Sequence, residues 1–184
     1  GDLDLFVGGR LIPRNYPLPA NSYILENVST RGNPKFIDVT KKIAPELEKL
    51  GMVTSSLWSD FDNDGQIDLI VVGEWMPITV FKNNKGSFKN ITKDLNLDTT
   101  TGWWFSLNEG DFDNDGDLDY IVGNLGLNYK YKANKEETFD IYVNDFDNNK
   151  SNDIVLSYYN GGEKFPVRGR ECSSQQIPAI KKKF

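Results

Sequence analysis

The chain has no histidine and a single cysteine, Cys172, in 184 residues. Without imidazole there can be no Ser-His-Asp triad, no Cys-His pair and no His-ligated zinc or iron site. With one cysteine there can be no intrachain disulfide and no cysteine-built metal knuckle, so Cys172 is read as a buried or idle thiol. Long hydrophobic runs are missing too. Residues 69–72 are among the longest, far too short to cross a bilayer, so no membrane insertion is expected. No apolar N-terminal stretch with a basic flank is present, so no signal peptide is expected within these residues. Basic residues are outnumbered, 21 against 27 acidic, for a formal charge of −6. A surface of that sign repels phosphate, and nucleic acid is excluded as a partner.

What remains is 38% hydrophobic and 26% charged, the balance of one soluble globular unit long enough to bury a core without staples. Its acid is concentrated in three runs. Asp60-Phe61-Asp62-Asn63-Asp64-Gly65-Gln66-Ile67-Asp68 precedes Leu69-Ile70-Val71-Val72, and Asp111-Phe112-Asp113-Asn114-Asp115-Gly116-Asp117-Leu118-Asp119 precedes Tyr120-Ile121-Val122. Asp145-Phe146-Asp147-Asn148-Asn149-Lys150-Ser151-Asn152-Asp153 precedes Ile154-Val155-Leu156. The opening residues Gly1-Asp2-Leu3-Asp4-Leu5-Phe6-Val7-Gly8 match the second half of the same unit, so the sequence is expected to open partway through a repeat. Equivalent aspartates Asp4, Asp68, Asp119 and Asp153 are 64, 51 and 34 residues apart, which suits propeller blades with loop insertions better than helical solenoids.

Local patterns agree. The β-branched and aromatic run after each acidic loop predicts a buried strand. Asn83-Asn84-Lys85-Gly86 between two strand-like segments predicts a hairpin, and residues 22–25 with 35–40 repeat it one unit earlier. A short helix is expected over 45–50, stopped by Gly51. Residues 10–21, with three prolines, predict an extended loop. We read 1–184 as one all-β segment: a partial repeat over 1–51 and repeats over about 52–102, 103–138 and 139–184.

The acidic spacing is that of a hard-cation loop. Alternate residues at its first, third and fifth positions turn oxygens inward, the seventh lends a backbone carbonyl, and the ninth closes the shell. Asp60, Asp62, Asp64 and Asp68 fit with Gln66 at the carbonyl position, and Asp111, Asp113, Asp115 and Asp119 fit with Asp117 there. Asp145, Asp147, Asn149 and Asp153 fit with Ser151 there, but Lys150 replaces the turn glycine, so a strained or weaker site is expected. Residues Val71, Val122 and Leu156 stand where an EF-hand needs its closing glutamate, so these are fixed clips between strands and not sensor hands. Carboxylates this close repel unless a cation sits among them, and three Ca²⁺ would cancel the formal −6. Mg²⁺ suits an all-protein cage less well, because it gives up water reluctantly.

The Asp-x-Asp-x-Asp-Gly-x-x-Asp loop followed by an aliphatic strand resembles the FG-GAP/VCBS repeat of integrin-α-type β-propellers. That resemblance implies blades with a calcium loop joining adjacent strands, the ion stiffening the hairpin, and the ligands named above. Phe36-Ile37-Asp38-Val39-Thr40 and the tail from Tyr158-Tyr159 through Phe165-Pro166-Val167-Arg168 to Lys181-Lys182-Lys183-Phe184 are similar to large exported VCBS proteins of Bacteroidetes, the ASPIC/UnbV group and relatives of cartilage acidic protein. This implies a longer parent chain, secreted or held at the outer surface.

A closed propeller needs about four blades, and this chain supplies roughly three and a half, so open edges and self-association through them are expected. The function expected is a calcium-stabilised extracellular scaffold that binds a protein or glycan and is not an enzyme. The alternatives are part of a polysaccharide-acting hydrolase or lyase, or a purely architectural spacer. Trp75, Trp103 and Trp104 are expected to fill space between blades, with a sugar-stacking role as the alternative. Glu74 and Glu109 are read as surface or hydrogen-bonding residues in preference to an acid–base pair. Residues 168–171 are read as an exposed ion-paired turn and 181–183 as a solvated face or strand end. The N-glycosylation patterns at Asn27 and Asn90 carry no function here.

Overall fold

The computed structural model describes residues 3–126 and 129–183. Gly1 and Asp2 of the opening half repeat, and Phe184 of the tail, lie outside the described residues. The chain divides into two compact units, Gly1–Asn124 and Leu125–Phe184.

In the first unit, β1 (Leu5–Val7), β2 (Tyr23–Asn27) and β3 (Phe36–Asp38) form an antiparallel meander. A short helix, α1 (Thr40–Ile43), and a single 3₁₀ turn, Pro45–Leu47, follow. The expected helix over 45–50 is thus shorter than its pattern suggests. Pro45 cannot continue α1, and Ala44 before it is forced out of the helical region, at φ −148°. The next meander is β4 (Met52–Ser59), β5 (Asp68–Met76), β6 (Thr79–Asn84) and β7 (Ser87–Asn90). Its β6–β7 hairpin turns through Lys85 and Gly86, both at positive φ (54° and 90°), the handedness that matches strand twist. β8 (Gly102–Gly110) and β9 (Asp119–Asn124) pair with each other, and β8 joins the end of β5 through Glu74↔Trp103 and Met76↔Gly102.

β5 explains why its sequence is a continuous apolar run with no alternation. Leu69 and Val71 face one cluster with Ile24, Leu47 and Phe81, while Ile70 and Val72 face another with Val80 and Leu107. A strand covered on both faces needs apolar residues at every position. Each of these fully buried side chains contributes about 1.5–3 kcal/mol.

A small device recurs where an outer strand ends. The Thr40 hydroxyl accepts the Ile24 amide at 2.8 Å, and the Thr40 amide donates to Asp38 Oδ1 at 3.0 Å. The Thr92 hydroxyl accepts the Val80 amide at 3.1 Å, and the Thr92 amide donates to Asn90 Oδ1 at 3.0 Å. Phe36-x-Asp38-Val39-Thr40 and Phe88-x-Asn90-Ile91-Thr92 are therefore one motif, in which a buried threonine satisfies a strand amide that has no ladder partner. The Asn90 sequon is part of this turn.

The second unit holds the antiparallel meander β10 (Asp140–Asn144), β11 (Asp153–Asn160) and β12 (Glu163–Pro166). Two short helices follow, α2 (Arg170–Gln176) and α3 (Ile180–Lys183). The expected turn over 168–171 is exposed as read, but Arg170 and Glu171 open α2; of the two readings of 181–183 the strand end is corrected, since the lysines lie in α3, while Lys181 and Lys182 are solvated. The polar run RECSSQQ carries no apolar period that would announce a helix. Of repeat 103–138, only β8 and β9 form strands among the described residues. The protein is therefore mostly β, in antiparallel sheets of three to six strands. Among the described residues no helix is long and apolar enough to cross a membrane.

Candidate metal centres

Each acidic loop joins two antiparallel neighbours and is closed by the same register. Ser59↔Asp68 closes the first, Gly110↔Asp119 the second and Asn144↔Asp153 the third. The last aspartate of every loop is thus already in a strand, which fixes its position relative to the first.

Inside the loops the hydrogen bonds repeat. The first aspartate accepts two consecutive amides: Asp60 from Asp64 and Gly65, Asp111 from Asp115 and Gly116, Asp145 from Asn149 and Lys150. The fifth residue accepts the amide two positions on: Asp64 from Gln66 at 2.9 Å, Asp115 from Asp117 at 3.2 Å, Asn149 from Ser151 at 2.8 Å. The closing aspartates Asp119 and Asp153 accept the Phe112 and Phe146 amides at 3.0 and 3.1 Å. These bonds curl the backbone so tightly that Asn63, Asn114 and Asn148 all lie at positive φ, between 57° and 63°.

Gly65 and Gly116 have φ 82° and 101°, and Lys150 takes φ 69° in their place. A side chain there costs about 1 kcal/mol relative to glycine, partly offset by glycine's extra freedom when unfolded. Lys150→Gly is expected to stabilise the second unit by about 0.5–1 kcal/mol, read as a higher urea midpoint at unchanged slope. A lower midpoint would show that the left-handed turn carries no strain.

This curl brings carboxylates together. Asp60, Asp62 and Asp68 place oxygens within 4.8 Å of one another, as do Asp111, Asp113 and Asp115, and Asp145, Asp147 and Asp153. Asp68 is fully buried, and its Oδ2 has no well-formed hydrogen bond; the Phe61 amide nearby does not reach good geometry. Burial raises the Asp68 carboxyl above its usual range against the hydrogen bond from the Asn83 amide, and the charge of Asp62 pushes it further. A buried, unsatisfied carboxylate oxygen beside two others is the donor chemistry of a hard divalent cation. The side chains present fit such an ion, with Asp60 and the buried Asp68 the inner donors of the first loop and the exposed Asp62 nearer its mouth.

The other predicted ligands are distributed as follows. Asp64 Oδ2 receives Lys82, whose hydrogen bond holds the Asp64 carboxyl below its usual range. Asp119 lies outside the tight group of the second loop and braces Phe112. Asp117 is raised above its usual range first by a side-chain hydrogen bond with Asp115 and then by that neighbour's charge, as crowded carboxylates require. The Gln66 side chain accepts the Lys85 amide at 2.7 Å, while Asn149 and Ser151 hold the third loop's turn. Lys82 had no local sequence signal. It reaches the first loop only because β6 pairs beside β5, with Phe81 opposite Leu69.

The remaining candidates find other roles. Glu74 is buried and ion-paired with Arg10. Glu109 is exposed on β8, six residues beyond Glu74's partner Trp103, or about 20 Å along the strand. The two carboxylates therefore form no acid–base pair. Trp75 sits in a bulge at φ 59°, donates its indole N–H to Tyr16 at 2.8 Å and packs edge-on against Trp103 at 5.1 Å. Trp104 packs against the cluster of Ile70, Val72, Val80 and Leu107. Arg168 bonds Gln176 at 3.2 Å. Cys172 is a free, exposed thiol, so of the two readings, buried or idle, the buried one is corrected: α2 turns Ser174 inward instead.

Residues 60–122 match the family described as the FG-GAP-like repeat. The match runs from Asp60 of the first loop into β9, so it takes in two loops and the meander between them. The antiparallel sheets with their aspartate triads are consistent with partial propeller blades of FG-GAP repeats. No curated protein sequence gives a significant match.

Proposed function

We propose that this protein is a calcium-stabilised β-propeller scaffold of the cell exterior that binds a protein or glycan and does no chemistry itself. The observation that carries the reading is the triple recurrence of one loop geometry, with aspartate oxygens gathered within 4.8 Å in each copy. All-oxygen donors on a tight turn favour Ca²⁺ over transition metals, which seek nitrogen or sulfur. Bound calcium would cross-link the two strands flanking each loop and hold the sheets rigid, leaving the variable connections free to carry ligand contacts. Extracellular calcium fills even weak modules of this kind, with dissociation constants of about 10⁻⁴–10⁻³ M, which supports placement outside the cell. The resemblance to exported VCBS and ASPIC/UnbV proteins of Bacteroidetes supports a bacterial surface. The absence of histidine and the capture of Glu74 by Arg10 support a non-catalytic role.

Equilibrium dialysis of the 184-residue chain against millimolar calcium is expected to retain up to three ions, fewer after Asp60→Ala. The calcium-loaded protein is then screened on a glycan array and against surface proteins, with binding expected to fall in EDTA. Retention of no ion removes the calcium reading. Turnover of a polysaccharide would replace the scaffold by an enzyme.

A further inference from the structure

Lys82 projects from β6 onto the mouth of the first loop. Its ammonium donates to Asp62 and, at 2.8 Å, to Asp64, and it stands 5.8 Å over the Phe61 ring. The three side chains are 26%, 31% and 30% exposed, so the bridge is half-sheltered. It engages only the outer part of the donor set. Asp60 and the fully buried Asp68 lie on the inner side, and there Asp68 Oδ2 still lacks a well-formed hydrogen bond. The first loop therefore holds an ammonium at its mouth and an unmet demand for positive charge at its base.

The other loops are built differently. Among the described residues β9 lies at the edge of its sheet with β8 as its strand partner, so no strand pairs with β9 as β6 pairs with β5. The strand after β11 is β12, and its Lys164 pairs with Asp140 on β10, before the third loop begins.

We propose that Lys82 is a built-in counter-cation of the first loop, which holds the loop together when no divalent ion is bound and must be displaced when one enters. This rests on the calcium reading above. A calcium ion needs six to eight oxygens, and one oxygen of each of Asp62 and Asp64, the Oδ2, is engaged by the ammonium. The ion enters against Asp60 and Asp68 and competes for the outer carboxylates, and the flexible lysine stem lets the ammonium swing into water. Lys82 thereby sets the first loop's affinity below what Asp60, Asp62, Asp64 and Asp68 alone would give, and it keeps the β4–β5 connection ordered at low calcium.

The test is a ¹H–¹⁵N NMR titration of the full chain with calcium chloride. It reads the amides of Gly65, Gly116 and Lys150, each of which donates to the first aspartate of its own loop. In Lys82→Met the Gly65 midpoint is expected to fall about tenfold, the equivalent of roughly 1.4 kcal/mol. The Gly116 and Lys150 midpoints stay in place. Lys82→Gln, which keeps a polar tip without the charge, shifts Gly65 the same way. In EDTA both variants melt below the wild type, and saturating calcium closes the gap; a variant that folds only with calcium supports the role equally. Gly65 responding in the variants but not in the wild type also supports it. An unmoved Gly65 midpoint in both variants, with Gly116 titrating normally, overturns the role of Lys82 and leaves the calcium reading intact. If no loop amide responds to calcium in any of the proteins, both fall together.

Discussion

In excess EDTA the first unit melts about 10–30 °C below its value in 10 mM calcium chloride. The estimate follows from linkage. An ion with a dissociation constant of about 10⁻⁴ M, at a hundredfold excess, stabilises the folded state by about 2.7 kcal/mol. Two loops lie in Gly1–Asn124, and a unit of that size moves by roughly 2–6 °C for each kcal/mol. Part of the effect is relief of repulsion. In the first loop Asp68 is held ionised in a buried place only at a cost, and the second loop crowds Asp115 against Asp117. The second unit carries one loop and shifts by less. Magnesium restores little of the loss, since a cage of protein oxygens asks it to shed its waters. Differential scanning calorimetry with calcium, magnesium and EDTA decides the matter. Coincident transitions in calcium and EDTA would mean that the loops are held by their own backbone hydrogen bonds alone.

Arg10→Ala destabilises the first unit by about 2–4 kcal/mol, whatever the calcium level. Glu74 is 6% exposed in its side chain, and Arg10 reaches it from a half-exposed position, at 55%. Removing the guanidinium strands a carboxylate among Met52, Met76 and the β5 bulge. Breaking a fully buried pair this way costs about 3–5 kcal/mol, and the solvent around Arg10 reduces that. The pair also ties the proline-containing loop after β1 to the end of β5, which carries Trp75 at its positive φ. Adding Glu74→Gln to Arg10→Ala recovers part of the loss, because a neutral amide tolerates burial better than an unpaired charge. Urea denaturation of the single and double variants measures both effects. A loss below about 0.5 kcal/mol would place the Arg10–Glu74 contact among ordinary surface pairs.

The two results would separate functions carried by different ends of the same sheet. The Asp60–Asp68 loop closes one end of the β4–β5 pair at Ser59↔Asp68, and Glu74 lies at the other, at Met52↔Glu74. A chelator acts on the first end. Arg10→Ala acts on the second.

Much of this was legible in the residues. The strands followed from apolar runs flanked by turn residues, and the β6–β7 hairpin from Lys85-Gly86; the burial expected after every loop holds only for β5, since β9 leaves Ile121 54% exposed and β11 is mostly half-buried. The loops could be read because the hydrogen bonds that curl each one onto itself span at most seven residues: the chain needs only Asp, Asn and Gly at fixed offsets to gather its carboxylates. The Lys150 exception was visible for the same reason. Helices α2 and α3 were not, because neither carries an apolar period. Nor was the threonine motif at Thr40 and Thr92, whose meaning lies in amides 16 and 12 residues away.

Local order along the chain therefore establishes where the acidic cages form, since each is made by one short segment bonding to itself. It has no hold on what stands beside a cage once strands pair. Lys82 meets Asp62 across 20 residues and Arg10 meets Glu74 across 64, through sheet pairing that no neighbouring residue dictates. Which cage holds its own ammonium, and which carboxylate is spent on an ion pair, were settled by contacts between distant segments.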